Sequence, residues 1–289
     1  MFDTIIAPAA LHELLASDAE VRVFDCEFDL ADPSKGLETF LAGHIPGARH
    51  LDLDTALSGK ATGTNGRHPL PTREVFAERM RRLGVHDRQQ VVAYDGSGGA
   101  AAARLWWMLR WCGHREVAVL DGGRSAWVAA GFALESGEPE PARDGDFALK
   151  PSLVADPVSA ADVLASLGDG SRVIIDARDP ARFRGESAAL DPVSGHIPGA
   201  RNRFFRDNLG EDGLFRDAGA LARDFKAILG DTSPADAIVQ CGSGVTACHN
   251  ALAMEIAGLS GARLYPGSWS EWIADPARPV ETGSEKPHD

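Results

Sequence analysis

Cys241-Gly-Ser-Gly-Val-Thr-Ala247 is the stretch of this chain best suited to chemistry. A thiol followed by two spaced glycines supplies a nucleophile and a backbone free to turn successive N–H groups inward, a nest for an anion. Gly242, Ser243, Gly244, Val245 and Thr246 would line that nest, and a helix starting there would add its positive N-terminal end. A thiol in such a cup ionises readily and reacts as the thiolate. The bland alternative, a structural cysteine in a tight turn, suits the other three better. Cys248 falls two turns further along and reads as packing, while Cys26 and Cys112 lack any such loop. No CxxC pair, metal-ligand spacing or disulfide framework is present, so neither a metal nor a cofactor is implied.

The elements that must position Cys241 flank it directly. The apolar run Ile238–Gln240 precedes it and a helical pattern, Val245–Ala257, follows. That places it at the carboxyl end of a strand, where open α/β sheets bind ligands. The same arrangement occurs twice in the chain. Gly43-His-Ile-Pro-Gly-Ala-Arg49 recurs letter for letter as Gly195-His-Ile-Pro-Gly-Ala-Arg201. Val21-Arg-Val-Phe-Asp25 matches Val173-Ile-Ile-Asp176, and Val91-Val-Ala-Tyr-Asp-Gly-Ser-Gly98 matches Ile238-Val-Gln-Cys-Gly-Ser-Gly244. Ser125-Ala-Trp127 matches Ser270-Glu-Trp272. Four blocks in one order mean two copies of one domain. At the reactive turn the first copy has Asp95 where the second has Cys241.

Within each copy, short apolar runs alternate with helical patterns. In the first these are strands at Val21–Phe24, Val91–Tyr94 and Val117–Leu120, with helices at Thr72–Leu83 and Ala100–Cys112. In the second they are strands at Val173–Ile175, Ile238–Gln240 and Arg263–Tyr265, with helices at Ser159–Leu167, Ala220–Leu229 and Val245–Ala257. Strands separated by helices predict right-handed crossovers and a parallel sheet flanked by helices on both faces, an α/β fold built in tandem. The expected division is 1–138, a Pro-, Gly- and charge-rich linker at 139–152, and 153–289, with a frayed tail from Glu281. The Trp106-Trp107 pair reads as core, and Arg49 and Arg201, present in both copies, as structural.

Composition narrows the function classes. The 289 residues carry a formal charge of −13, with 44% apolar and 25% charged residues, an ordinary globular balance. Such a surface repels phosphate backbones, so nucleic acid is a poor partner. An anionic substrate must be gathered by local cations or amides against the overall field. The N-terminal residues lack a basic leader, and the longest apolar stretch, Ala100–Cys112, is broken by Arg104 and Arg110. A soluble, cytoplasmic protein without membrane partners is expected.

The paired GHIPGA and SxW motifs, with one cysteine-bearing loop in the second copy, resemble the two-domain rhodanese family of sulfurtransferases over nearly the whole chain. The loop resembles that of the 3-mercaptopyruvate branch; thiosulfate enzymes usually have Arg and Lys where Gly242 and Ser243 stand. The resemblance implies two tandem rhodanese-like domains, the first without its cysteine. It implies that Cys241 takes sulfur from a small-molecule donor as a persulfide and yields it to a thiol such as thioredoxin, or to cyanide. It also implies a relay of Asp54, His68 and Ser243 that protonates the departing enolate, lying between the copies because Asp54 and His68 are first-copy residues. Without the resemblance, His68 before Pro69 reads as a surface loop residue. Arg182 matches the family's carboxylate-binding arginine, which suits a planar, bidentate guanidinium. Many relatives carry a second arginine nine residues on; this chain has Asp191 there, so either another cation such as Arg184 substitutes or the carboxylate is held more weakly than in those relatives.

Two other classes compete. A cysteine phosphatase needs an Arg six residues after its Cys, and that position is Ala247. A non-catalytic sulfur carrier or protein-binding module would not need an intact loop. Thiosulfate:cyanide transfer is the nearest alternative within the family.

Overall fold

The computed structural model describes residues 1–284 other than 142, 168–169 and 188–189. The end of the tail expected to fray, 285–289, lies outside the described residues. The chain forms two compact units. One comprises Met1–Gly59, Pro71–Leu153 and Glu211–Phe215, the other Lys60–Leu70, Val154–Gly210 and Arg216–Asp289.

The first unit runs β1 (Ile5–Ile6), α1 (Pro8–Leu15), β2 (Val21–Asp25), α2 (Ser34–Ala42), β3 (Arg49–His50), α3 (Arg73–Arg82), β4 (Gln90–Tyr94), α4 (Ala100–Trp111), β5 (Val117–Leu120) and α5 (Gly123–Ala129). Its strands form one parallel sheet in the order β1-β5-β4-β2-β3. β4 lies inside the sheet and is buried throughout, which is why Val91-Val-Ala-Tyr94 reads as a continuous apolar run. α3 begins where Thr72 accepts the Val75 amide as N-cap. Trp106 and Trp107 are buried on α4, as their spacing predicts. The stretch expected as a linker runs along this unit: Gly145, Phe147 and Lys150 donate backbone hydrogen bonds to Arg81, Val85 and Cys112.

The second unit runs α6 (Ala160–Ser166), β6 (Val173–Asp176), α7 (Pro180–Arg184), β7 (Arg201–Asn202), α8 (Ala218–Leu229), β8 (Ala237–Gln240), α9 (Thr246–Ile256), β9 (Arg263–Leu264) and α10 (Ser268–Trp272), with 3-10 turns at Phe205–Asn208 and Pro234–Asp236. Its sheet is parallel, ordered β7-β6-β8-β9. Ile174, Phe183, Ile197, Ile238, Tyr265, Trp269 and Trp272 anchor its core. Ser159 and Asp162 close a reciprocal capping box at the start of α6. Residues Lys60–Leu70 belong to this unit, although the repeat assigns them to the first copy.

The repeated GHIPGA motif is a structural corner. His44 stacks on Phe40 with centroids 4.0 Å apart and bonds its carbonyl through Nδ1; His196 does the same with Phe183 at 3.8 Å. Both backbones pair with a distant strand-like residue, Glu135 or Glu281. Gly47 and Gly199 hold φ of 75° and 74°, where a side chain is disfavoured. The identical letters encode identical packing and leave the chemistry to positions where the copies differ.

Candidate functional site

Cys241 leaves the carboxyl end of β8 and opens the turn into α9. Its sulfur accepts the Gly244 amide at 3.1 Å, and the residue is 2% exposed. Gly244 sits at φ 78°, and a Cβ there would collide with the Pro266 carbonyl oxygen. Val245 is the N-cap of α9 and Thr246 its first residue, so the helix N-terminus opens from the loop.

The segment carrying the second SxW motif holds the loop from behind. Ser268 Oγ accepts the Cys241 amide at 3.1 Å and donates to the Tyr265 carbonyl. Trp269 N donates to Cys241 O and Ser270 N to Gly242 O. Ser268 has φ 52°, a left-handed conformation costly for a residue with a side chain. Its counterpart in the first unit, Gly123, has φ 57° and no room for a Cβ beside the Asp95 carbonyl. Glycine serves where the turn only has to fold; serine, strained, serves where a hydroxyl must meet the Cys241 amide.

The first unit shows what such a turn binds. Asp95 Oδ1 accepts the Ser97 and Gly99 amides, and Oδ2 accepts the Ala101 and Ala102 amides opening α4, at 2.8–3.0 Å. Its nest is filled by a carboxylate of its own chain. In the second unit the residue at that place is a thiol, with the Gly244 amide on its sulfur. The other cysteines are poor nucleophiles. Burial, with Asp95, Asp25 and Glu27 close by, pushes the Cys26 thiol well above its ordinary range, and burial pushes Cys112 up to about 11. Cys248 is buried on α9.

His68 and Ser243 meet. His68 Nδ1 lies 2.8 Å from Ser243 Oγ, and the ring is 4% exposed, not the surface loop residue its place before Pro69 suggests. The segment bearing it is docked by Arg67, whose amide donates to Ser270 Oγ at 3.0 Å. Gly66, at φ 89°, lies against the Gly267 backbone too closely for any side chain. Asp54 is an exposed turn residue of the first unit; burial and then Asp52 raise its carboxyl above the usual range.

Arg182 extends from α7, whose N-cap is Asp179. A Cβ on Gly242 would stand 3.1 Å from Arg182 Nη2 and 3.4 Å from Arg67 Nη2, so glycine admits two guanidiniums to the loop. Asp191 joins them, 2.5 Å from Arg182 Nη2 and 3.3 Å from Arg67 Nη2. Arg184 is turned to Glu186 in a two-bond ion pair. Arg67 was passed over in the sequence because its contacts to Asp191 and Ser270 span 124 and 203 residues; its only local sign is a cation beside His68. Among the described residues, no group of three His, Cys, Asp or Glu side chains could hold a metal ion, and no helix is long and apolar enough to cross a membrane.

The Rhodanese-like domain matches residues 7–130 and 159–275. A Pseudomonas aeruginosa protein named probable 3-mercaptopyruvate sulfurtransferase is 48% identical over 271 residues, 92% of this chain and 94% of that one. A Mycobacterium tuberculosis protein named putative thiosulfate sulfurtransferase SseB is 37% identical over 283 residues, 97% of each chain. The crystal structure of SseA from Escherichia coli, described with the rhodanese fold and mechanism of 3-mercaptopyruvate sulfotransferases, superposes with a TM-score of 0.78. It is 33% identical and covers 93% of this chain and 99% of its own.

Proposed function

Because this chain belongs to the rhodanese family, with its domain present twice, we propose that it is a sulfurtransferase that carries sulfur on Cys241. The donor is 3-mercaptopyruvate, and the acceptor is a thiol, such as that of thioredoxin, or cyanide. One observation carries the reading: the turn that Asp95 fills with a carboxylate in the first unit holds a thiol in the second, with Gly244 N on its sulfur. Four free cysteines suit a reducing, cytoplasmic setting.

In the first half-reaction the Cys241 thiolate attacks the donor sulfur. The carbon–sulfur bond breaks and its electron pair passes to the carbon, giving the enolate of pyruvate. The Ser243 hydroxyl, bonded to His68, supplies the proton to that enolate, and His68 restores it. Asp54 enters this reading on the family resemblance alone. The persulfide is an anion held by loop amides and the start of α9, electrostatic stabilisation preorganised by the fold. In the second half-reaction the acceptor attacks the outer sulfur and releases the Cys241 thiolate. Arg182 holds the donor carboxylate, two carbons from the sulfur. Thiosulfate is the second reading, favoured by the name of the mycobacterial relative.

The test is intact-mass analysis after treatment with 3-mercaptopyruvate. Wild type should gain one sulfur, about 32 Da, as one nucleophilic thiolate requires, and Cys241→Ser should gain none and lose turnover. A sulfur adduct surviving in Cys241→Ser would overturn the assignment. At pH 8 iodoacetamide should label Cys241 and leave Cys112, whose thiol is pushed up to about 11, unmodified.

A further inference from the structure

The two units part company at another matched pair. Just before the shared SxW motif the second unit has Trp269 and the first has Arg124. Trp269 is fully buried in its core, its Nε1 donates to the Val193 carbonyl, and the Arg178 guanidinium stacks on its ring at 4.6 Å. Arg178 Nη2 also donates to the carbonyl of Gly195, the first residue of the second GHIPGA corner. In the first unit the residue matching Arg178 is Glu27. The guanidinium on the matching carbonyl, that of Gly43, comes from α5 instead: Arg124 Nη1 donates to it at 3.3 Å. The cation on the corner is kept and the indole is lost.

Beside Arg124 the first unit has a cavity of about 670 Å³, a size that small-molecule sites share. Its walls are largely apolar, with Ala42, Val128, Ala129 and Leu134 among them, and of the described residues that line it Arg124 alone is charged. Val128 and Leu134 are 50% and 36% exposed, so this apolar surface meets water. Glu27 Oε2 stands 3.8 Å from Arg124 Nη2, beyond hydrogen-bond reach. Burial, then Asp95 and Asp25, raise the Glu27 carboxyl above its usual range despite Arg124, which marks that pair as a loose one. A guanidinium has more N–H donors than these contacts use.

We propose that this cavity binds an aromatic monocarboxylate, with the carboxylate on Arg124 and the ring against the apolar walls. The ligand then supplies to the first unit the aromatic plane that Trp269 supplies to the second. A planar guanidinium pairs with a carboxylate through two parallel N–H···O bonds, and the ring gains by leaving water. With a chain charge of −13 opposing anions, one carboxylate is favoured over two. The Cys241 loop belongs to the other unit, and the site does not depend on the reaction proposed above.

The test is calorimetric titration of the full chain with 3-phenylpropionate, with its neutral amide as the control. The acid should bind with a Kd of about 1 mM or tighter, within reach of a ligand of that size, and the amide at least about tenfold more weakly. Arg124→Met keeps the stem and removes the charge. It should weaken the acid by about 10- to 150-fold, the scale of a lost charged hydrogen bond, and bring acid and amide to parity. Val128→Glu changes an exposed position that the fold tolerates; its carboxylate should weaken the acid and leave the amide near wild type. Arg124→Trp, which restores the indole of the second unit, should abolish binding of both. Acid bound no better than amide, or bound equally by wild type, Arg124→Met and Val128→Glu, would overturn the site, as would the absence of binding by either compound.

Discussion

His68 and Ser243 form the smallest unit of this site whose work can be separated. Their 2.8 Å contact sits beside the thiol, so its effect belongs to the half-reaction that releases an enolate. General acid–base help is typically worth about 10² to 10⁴ in rate. In His68→Ala the burst of pyruvate measured by stopped flow should slow by at least about 10², while discharge of a chemically loaded persulfide to a thiol should stay near wild type. Because His68 is buried, His68→Gln is the fair control for packing: it retains a partner for Ser243 but does not cycle a proton near neutrality. A wild-type burst in both variants would remove the pair from the mechanism.

Among the elements, the turn into α10 shows most clearly how backbone conformation serves the thiol. Ser268 holds φ 52° to place a hydroxyl on the Cys241 amide. Ser268→Gly should relax the strain and leave the melting temperature at or above wild type, yet slow sulfur transfer by about 2- to 10-fold, the worth of one neutral hydrogen bond. Equal activity would mean that the hydroxyl only packs. The principal strands and helices were legible in the sequence because buried parallel strands are continuous apolar runs and α3, α6 and α8 begin at side-chain caps. Of the four two-residue strands, β9 was read within the run Arg263–Tyr265, whereas β1, β3 and β7 are too short to show any period and were not. Cys241 and its loop were legible from glycine spacing and position at a strand end. Arg67 was not, because its role depends on residues 60–70 joining the second unit, which no local pattern reveals.

At the scale of the whole chain, two copies of one domain place Cys241 in one unit and Asp95 in the other, under a shared four-strand order, to which the first unit adds β1, and the same GHIPGA corner. The first unit can be regarded as a receptor sold with its ligand attached: the Asp95 carboxylate occupies four amides at an effective concentration no solute reaches. Removing that tethered ligand should turn melting into a binding isotherm. Asp95→Ala should melt several degrees below wild type, and added sulfate should restore stability as RT ln(1 + [L]/Kd), about 2.7 kcal/mol at a hundredfold excess over Kd. Wild type, already saturated from within in its first unit, should show at matched ionic strength only the sulfate response of its second unit, which Asp95→Ala shares. Parallel sulfate curves for the two proteins would contradict this. The carboxylate that stands where the other unit has its thiol thereby makes its own unit's stability independent of the anions around it.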